Sequence, residues 1–168
     1  MILVTEATGK FMKRQIITSI EIDVPPNVIW KIIAEFDQYD RWNPFIPSIN
    51  GKTILGTKLE VKIQPPGGNA MTFRPIVLVA NPERELSWLG RVLFPGIFDG
   101  EHRFEIEPLS DQRVRFVHSE KFSGLLVRLF WRSLNARTRQ GFEEMNQALK
   151  LRSEQRSAVF INQDSSNF

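Results

Sequence analysis

Two histidines and one glutamate are the side chains best suited to chemistry in this sequence. His102 and His118 are the only histidines, and each lies in a segment where apolar and polar residues alternate. Such alternation predicts strands with one buried face and one wet face. Glu120 follows His118 by two residues, so these two side chains share a strand face. Imidazole and carboxylate groups held together can transfer protons near neutral pH or orient a polar ligand.

The turn between the two strands is expected to bring the histidines together. If Leu109–Gln112 forms the turn, opposed residues have numbers that sum to about 220, and His102 then faces His118 directly. Four interpretations of this cluster stay open. It is a histidine pair that only orders the sheet, a polar anchor for a ligand, an acid/base pair, or two ligands of a metal ion with Glu120 as the third. A slip of one residue would turn one partner outward.

The elements around this hairpin follow from residue periodicity. A first strand is predicted at Gln15–Asp23, a short helix at Pro26–Phe36 and a second short helix at Asp37–Trp42. An apolar stripe with spacings of three and four residues predicts one long helix from Leu125 to about Leu151. Further strands are predicted at Lys58–Gln64, Ala70–Ala80, Glu85–Leu93, Glu101–Pro108 and Arg113–Phe122.

Two residues inside these elements are unusual for their positions. Pro75 lies within a predicted strand and indicates an edge position or a bulge there. Gly141 lies within the predicted long helix, where glycine costs about 1 kcal/mol relative to alanine. This glycine therefore indicates a close approach of another group to the helix, or room for a ligand.

Length and composition indicate one globular domain. The 168 residues fit a single domain at 14–151, with a loose extension at 1–13 and a polar tail at 152–168. The absence of cysteine excludes disulfides and thiolate metal sites. No apolar run reaches the roughly 18 residues of a membrane span, and we expect no secretory signal at the N-terminus, so a cytoplasmic location is expected. We predict no cofactor, and the sequence does not indicate an oligomeric state.

The charge distribution does not favour nucleic acid as a partner. The formal net charge is only +3, and basic and acidic residues are interspersed over most of the chain. A nucleic-acid surface gathers its basic residues on one face, often with exposed aromatic residues. We interpret the densest basic stretch as a solvated face of the long helix; it contains Arg128, Arg132, Arg137 and Arg139.

Three segments make the chain resemble the START-like superfamily, also described as SRPBCC or polyketide cyclase/dehydrase. They are Ile22–Trp30, Tyr39–Phe45, and the pair Gly100–Phe104 and His118–Leu126. The resemblance extends from Arg14 to Leu151. It implies an α+β helix-grip fold, in which a curved antiparallel sheet of about six or seven strands surrounds the C-terminal helix and two short helices follow the first strand. It also implies a cavity between sheet and helix, but it carries over no catalytic residues.

These features favour a protein that binds a small hydrophobic molecule, such as a lipid, a polyketide or another aromatic or isoprenoid compound. One alternative is a polyketide cyclase/dehydratase-type enzyme that uses His102 and His118 as acid and base, with Glu120 as a further catalytic candidate. Another is a chaperone-assisting interaction module, which predicts a filled core; a cavity of roughly 300 Å³ or more would count against it. The residues expected to contact the ligand are Trp88, His102, Phe104, Phe116, His118, Glu120, Phe130 and Leu134.

Overall fold

The computed structural model describes residues 13–92 and 94–164, with side chains described as far as residue 157. The extension predicted at 1–13 therefore lies almost wholly outside the described residues, as do residues 165–168 of the predicted tail. In chain order the elements are β1 (Arg14–Ile22), α1 (Pro26–Ala34), a 3-10 helix (Phe36–Arg41), β2 (Ser48–Asn50), β3 (Glu60–Ile63), β4 (Met71–Phe73), β5 (Ile76–Asn81), β6 (Glu85–Val92), β7 (Phe98–Ser110), β8 (Arg113–Ser123) and α2 (Leu125–Asp164).

The strands form two antiparallel sheets. A five-stranded sheet has the order β1-β8-β7-β6-β5, and a three-stranded sheet has the order β2-β3-β4. The α+β helix-grip prediction is confirmed, but the described residues contain eight strands in two sheets rather than one sheet of six or seven. The predicted strand Ala70–Ala80 is divided at Pro75, which has no N–H to donate to a ladder. Its first part joins the smaller sheet as β4, and its second part joins the larger sheet as β5.

The β7–β8 hairpin differs from the predicted register by two residues. His102 is the direct partner of Glu120, not of His118. The turn contains only residues 111–112, and the pairing is irregular just after Pro108, so the strands are offset from the predicted four-residue turn. A shift of two residues leaves every side chain on its original face. The two histidines therefore remain neighbours, although along a diagonal.

The connection from β8 to α2 depends on Gly124. Its φ of +118° is rarely adopted by residues with side chains, and a Cβ there would collide with the backbone of Ile97. The following amide groups, those of Leu125 and Leu126, donate hydrogen bonds to the carbonyls of Gly96 and Ile97. The loop before β7 thereby satisfies part of the helix N-terminus.

Helix α2 continues well beyond its predicted end at Leu151. Ser153 is fully buried, and Glu154 Oε1 accepts a hydrogen bond from the backbone N–H of Asp23 at 3.3 Å. Arg156 pairs with Glu35 of the loop after α1 at 3.0 Å. These contacts with the N-terminal part of the domain stabilise the helical turns of α2 after Leu151, a segment whose composition alone predicts a polar tail. Among the described residues, no helix is both long enough and apolar enough to cross a membrane.

Candidate functional site

A cavity of about 540 Å³ lies between α2 and the two sheets. Its size is within the range of small-molecule pockets, roughly 300–1,000 Å³. Most of its lining is apolar. Helix α2 contributes Leu126, Phe130, Ser133, Leu134, Arg137 and Thr138; the three-stranded sheet contributes Val61, Ile63, Met71 and Phe73; and the five-stranded sheet contributes Trp88, Val92, Phe98, His102, Glu120 and Phe122.

Two glycines in the five-stranded sheet open this space. Gly90 of β6 and Gly100 of β7 are cross-strand partners, and both line the cavity. The next pair on the same face is Trp88 and His102, which carry large rings. Over Gly100 the carboxyl group of Glu120 occupies the room that a Cβ would need, whereas a Cβ on Gly90 would have only ordinary contacts, the nearest at 3.8 Å. The cavity therefore reaches the sheet at this pair of glycines.

Phe45 forms another part of the wall, at the place where it crosses α2. The side-chain oxygen of Asn43 accepts hydrogen bonds from the backbone N–H groups of Phe45 and Ile46, at 3.1 and 2.8 Å. The ring of Phe45 packs edge-on against Phe142, with centroids 5.4 Å apart, and it occupies the space that a Cβ on Gly141 would need. The helical glycine therefore marks a close approach of this ring, beside the cavity.

The polar end of the cavity is a chain of five side chains that leads into the core. Glu120 Oε2 lies 3.6 Å from Nδ1 of His102. Nε2 of His102 lies 2.8 Å from Nε2 of His118, whose Nδ1 lies 3.2 Å from Oδ1 of Asn146. The amide nitrogen of Asn146 donates to Oγ1 of Thr18 at 3.0 Å. Strands β1, β7 and β8 and helix α2 thus meet at this chain.

Aromatic rings hold both imidazoles in place. Trp88 stacks on His102 with an interplanar angle of 1°, and Phe142 stacks on His118 with the centroids 3.6 Å apart. Burial lowers the pKa of His118 well below its ordinary value of 6.5, and the neighbouring His102 lowers it further. His118 is therefore a neutral imidazole at physiological pH.

His102 is buried yet incompletely hydrogen-bonded. It is only 2% exposed, and among the described residues its Nδ1 atom has no hydrogen-bond partner, since 3.6 Å to Glu120 is too long for one. An unpaired polar atom on a cavity wall is a natural position for a polar group of a ligand. The geometry gives no support to a metal ion shared by the histidines, because their Nε2 atoms hydrogen-bond each other.

The structure brings five of the eight predicted contact residues to the cavity: Trp88, His102, Glu120, Phe130 and Leu134. The other three lie in the adjoining core: Phe104, Phe116 and His118. On β7, the interior face runs from the gap at Gly100 through His102 to Phe104, so the cavity ends before it reaches the last of these. Periodicity assigned Phe104, Phe116 and His118 to the correct face but could not show where along that face the space lies.

Several cavity and chain residues escaped the sequence interpretation. The signal for the gap was available, because Gly90 and Gly100 share the face of Trp88 and His102 in strands otherwise rich in large side chains. Thr18 gave no such signal, since a threonine is ordinary in a strand.

Comparisons with known proteins agree with this architecture. The family described as polyketide cyclase / dehydrase and lipid transport matches residues 13–154. No curated protein matches the chain. The aromatase/cyclase Zhui from Streptomyces sp. R1128 is similar, with a TM-score of 0.69 at 14% identity over 87% of this chain and 96% of that one.

Two other solved structures show the same fold. A START superfamily protein from Mycobacterium smegmatis has a TM-score of 0.67 at 18% identity, over 84% of this chain and 97% of its own. A norcoclaurine synthase point mutant from Thalictrum flavum has a TM-score of 0.68 at 11% identity, over 88% and 98%.

Proposed function

Because the chain belongs to the polyketide cyclase/dehydrase and lipid transport family, we propose that it binds a small hydrophobic molecule in the cavity between the sheets and α2. The observation that carries this proposal is the cavity of about 540 Å³, whose lining is mostly apolar and includes the buried His102 beside Glu120. That combination is typical of small-molecule sites, in which apolar contacts supply affinity and a few polar atoms supply orientation.

The apolar part of the ligand would lie against the α2 side of the cavity. Phe130 lines the cavity while 55% of its surface is exposed, so a ligand there would cover surface that now faces water. Removing apolar surface from water contributes roughly 25 cal/mol per Å². The polar group of the ligand would lie at the opposite wall, beside Glu120 and Nδ1 of His102.

Native mass spectrometry of gently purified protein, followed by denaturing extraction, tests this proposal. We expect an adduct whose extracted component is a small apolar compound of defined mass. The variant Gly90→Leu should lose it, because the nearest atoms to a Cβ there lie at 3.8 Å and the rest of the side chain would extend into the cavity. Arg91→Leu adds the same side chain at the next, exposed position and should keep the adduct. Equal loading of both variants would contradict the proposal.

A second candidate function is an acid/base enzyme of the cyclase/dehydratase type, and the polar chain favours it. Glu120 and His102 line the cavity, whereas His118 stands behind His102 and does not. In this candidate, Glu120 and His102 would exchange a proton with the substrate, and His118 would orient His102. Incubation with the extracted compound and analysis by mass spectrometry tests it. Conversion should stop in Glu120→Gln while the adduct is kept; conversion at the wild-type rate would contradict an acid/base role.

The third possibility, an interaction module with a filled core, has less support. An interaction module of this kind would have a filled core without a usable cavity. The cavity of this protein is larger than roughly 300 Å³, the lower end of the range for small-molecule pockets.

A further inference from the structure

Four exposed residues at the start of α2 share one face of the helix. Leu125, Arg128, Leu129 and Arg132 are three, one and three residues apart, and this spacing places side chains on the same side of a helix. Leu125 and Leu129 are 74% and 73% exposed, more than any other large apolar side chain that the structure describes. Clustered apolar side chains on a surface are typical of interaction sites.

A turn of the loop before β7 adds a third apolar side chain to this end of the molecule. Phe94 is 69% exposed, and its carbonyl accepts a hydrogen bond from the N–H of Ile97 at 3.2 Å. The first two amide groups of α2 donate to carbonyls of the same turn, those of Gly96 and Ile97, both at 3.1 Å. The turn is thereby fixed to the start of the helix. We refer to the following residues together as the apolar–basic face: Phe94, Leu125, Arg128, Leu129 and Arg132.

Positive charge is concentrated at this end of α2. Residues 125–142 contain four arginines and no aspartate or glutamate, although the net charge of the whole chain is only +3. Within the described part of the chain, neither Arg128 nor Arg132 forms an ion pair, whereas Asp99 at the start of β7 lies 3.6 Å from Arg91. The two arginines of the apolar–basic face are therefore available to an anionic partner.

The combination of leucine and arginine on one exposed helix face fits a bilayer surface better than a protein or a nucleic acid. Leucine and phenylalanine side chains can enter the boundary between headgroups and acyl chains, as they do in interfacial amphipathic helices. The apolar stem of arginine can lie beside them while its guanidinium group contacts lipid phosphates. A nucleic acid would leave the leucines in water, and an acidic protein would need apolar pockets between its carboxylates.

We propose that the apolar–basic face docks on a bilayer that carries anionic headgroups. The side chains of Phe94, Leu125 and Leu129 lie at the acyl boundary in this arrangement, and Arg128 and Arg132 pair with lipid phosphates. The contact is peripheral, since no helix among the described residues is long and apolar enough to cross a membrane. Docking needs no occupied cavity, so the proposal goes beyond the binding function.

The apolar–basic face borders the cavity. Phe130 follows Leu129 directly, lines the cavity and is 55% exposed. A bilayer that covers Leu129 therefore lies beside the cavity, and the two sites can be occupied together. Vesicle binding and ligand loading are accordingly measured as separate properties of the same protein.

Flotation of the full chain with lipid vesicles tests the proposal. We expect binding to phosphatidylcholine vesicles that contain about 30% phosphatidylglycerol and little binding to phosphatidylcholine alone, because arginines are attracted to an anionic surface. Added salt should weaken the binding, since exposed charges are screened. No binding to the anionic vesicles at low ionic strength would overturn the proposal.

Two pairs of variants locate the contact. Leu129→Ser should weaken binding to the anionic vesicles about tenfold, because it removes an apolar side chain from the acyl boundary. Its control is Leu151→Ser, which alters a leucine that is 61% exposed and lies about 33 Å further along α2. Arg128→Gln should weaken binding about fivefold, whereas Arg84→Gln, in the exposed turn at the other end of β6, should leave it unchanged. Equal effects within each pair would overturn the assignment of this face.

Tryptophan fluorescence tests whether the face enters lipid. In Leu125→Trp, the added indole should shift its emission to shorter wavelength when anionic vesicles are added, and acyl chains that carry bromine should quench it. Leu151→Trp should show neither change. The chain already contains four tryptophans, so both spectra are compared with those of the wild type. Vesicle binding without a shift at position 125 would overturn insertion of the leucines.

The remaining outcomes separate a bilayer from an acidic protein. Polyglutamate is the soluble probe. If it binds as tightly as the vesicles do, and Leu129→Ser weakens neither interaction, the face binds acidic protein and the bilayer proposal is wrong.

Failure of docking and failure of the proposed function are distinguishable. Gly90→Leu, which should lose the adduct, should float with the anionic vesicles like the wild type. Protein that carries an adduct but does not float would overturn docking and leave the cavity function intact. Protein that floats without ever carrying an adduct would support docking and count against the cavity function.

Discussion

The interior between the five-stranded sheet and α2 has two unlike ends, although the same strands build both. At the packed end, Phe104 and Phe116 are fully buried and Phe142 stacks on the inner histidine. At the open end, Gly90 and Gly100 face each other and the cavity begins. The fold therefore provides the surfaces, and the size of a few side chains on one face decides whether the space between them is filled.

The largest expected difference between the ends is in stability. Phe116→Ala at the packed end should reduce the free energy of unfolding by about 3–5 kcal/mol, because it removes a fully buried ring and leaves a void. Phe130→Ala at the open end should cost less than about 1 kcal/mol, since that ring is already 55% exposed. Urea denaturation of both variants measures these values. Similar losses would mean that the two ends are equally packed.

Gly141 lies between the packed end and the open end of the interior, and substitution there tests how closely Phe45 packs against α2. Gly141→Ala should destabilise the protein by about 1–2 kcal/mol, because the overlap with the ring of Phe45 outweighs the gain in helix propensity. In a Phe45→Leu background the same change should become neutral or stabilising. Thermal or urea unfolding of the four proteins checks this cycle. If Gly141→Ala stabilises the protein that retains Phe45, the close approach of this ring is not the reason for a glycine at position 141.

Filling the open end should affect binding more than stability. A Cβ at Gly100 would lie 2.6 Å from a carboxylate oxygen of Glu120, whereas one at Gly90 has only ordinary contacts. Gly100→Ala should therefore displace Glu120 and weaken binding of the compound extracted from the wild-type protein by about tenfold, or ~1.4 kcal/mol. Gly90→Ala is the matched control and should retain most of the affinity. Equal effects would show that only lost volume matters.

The smallest expected effect comes from the histidine at the packed end. The unfolded chain takes up a proton at His118 below about pH 6.5, but the folded protein resists it because burial lowers the pKa of that imidazole. This contribution to stability is complete above pH 6.5 and is lost as the pH falls, by up to about 1.4 kcal/mol per pH unit. Urea denaturation at pH 7.5 and 5.5 measures it.

Two variants test whether His118 is the group that causes the pH dependence of stability. His118→Gln should have a flatter pH dependence than the wild type, since it removes the group whose protonation differs between the folded and unfolded states. Arg74→Gln, which alters an exposed ion pair of the smaller sheet, should keep the wild-type dependence. A wild-type slope in His118→Gln would place the pH sensitivity elsewhere.

Periodicity predicted most of the fold, because strands and helices bury faces that recur every two or three to four residues. It placed His102, His118 and Glu120 on one interior face, and that arrangement tolerated an error of two residues in register. Periodicity did not predict that the strand Ala70–Ala80 divides between two sheets at Pro75, or that α2 extends past Leu151. Both features depend on contacts between segments that are distant in sequence.

The candidate site was less predictable than the fold for the same reason. Glu120 and His102 were identifiable as polar residues on an apolar face, and Gly90 and Gly100 as glycines on the same faces. That the two glycines stand directly opposite each other follows only from the strand register. Asn146 and Thr18 became relevant only through their contacts with the inner histidine. The local sequence gives the type of each residue, but it does not show which residue of a neighbouring strand or helix that residue contacts.

The polar chain also bears on how the protein assembles. Asn146 and Thr18 are 128 residues apart in sequence, and the threonine is 100 residues from His118. Contacts between residues so far apart in sequence form late in folding, because the entropic cost of closing a long loop must first be overcome. The first strand and the last helix must both be in place before the polar chain behind the cavity is complete. Amide hydrogen exchange in β1 and α2 should therefore report on the integrity of the binding site, even though neither element supplies Glu120 or His102.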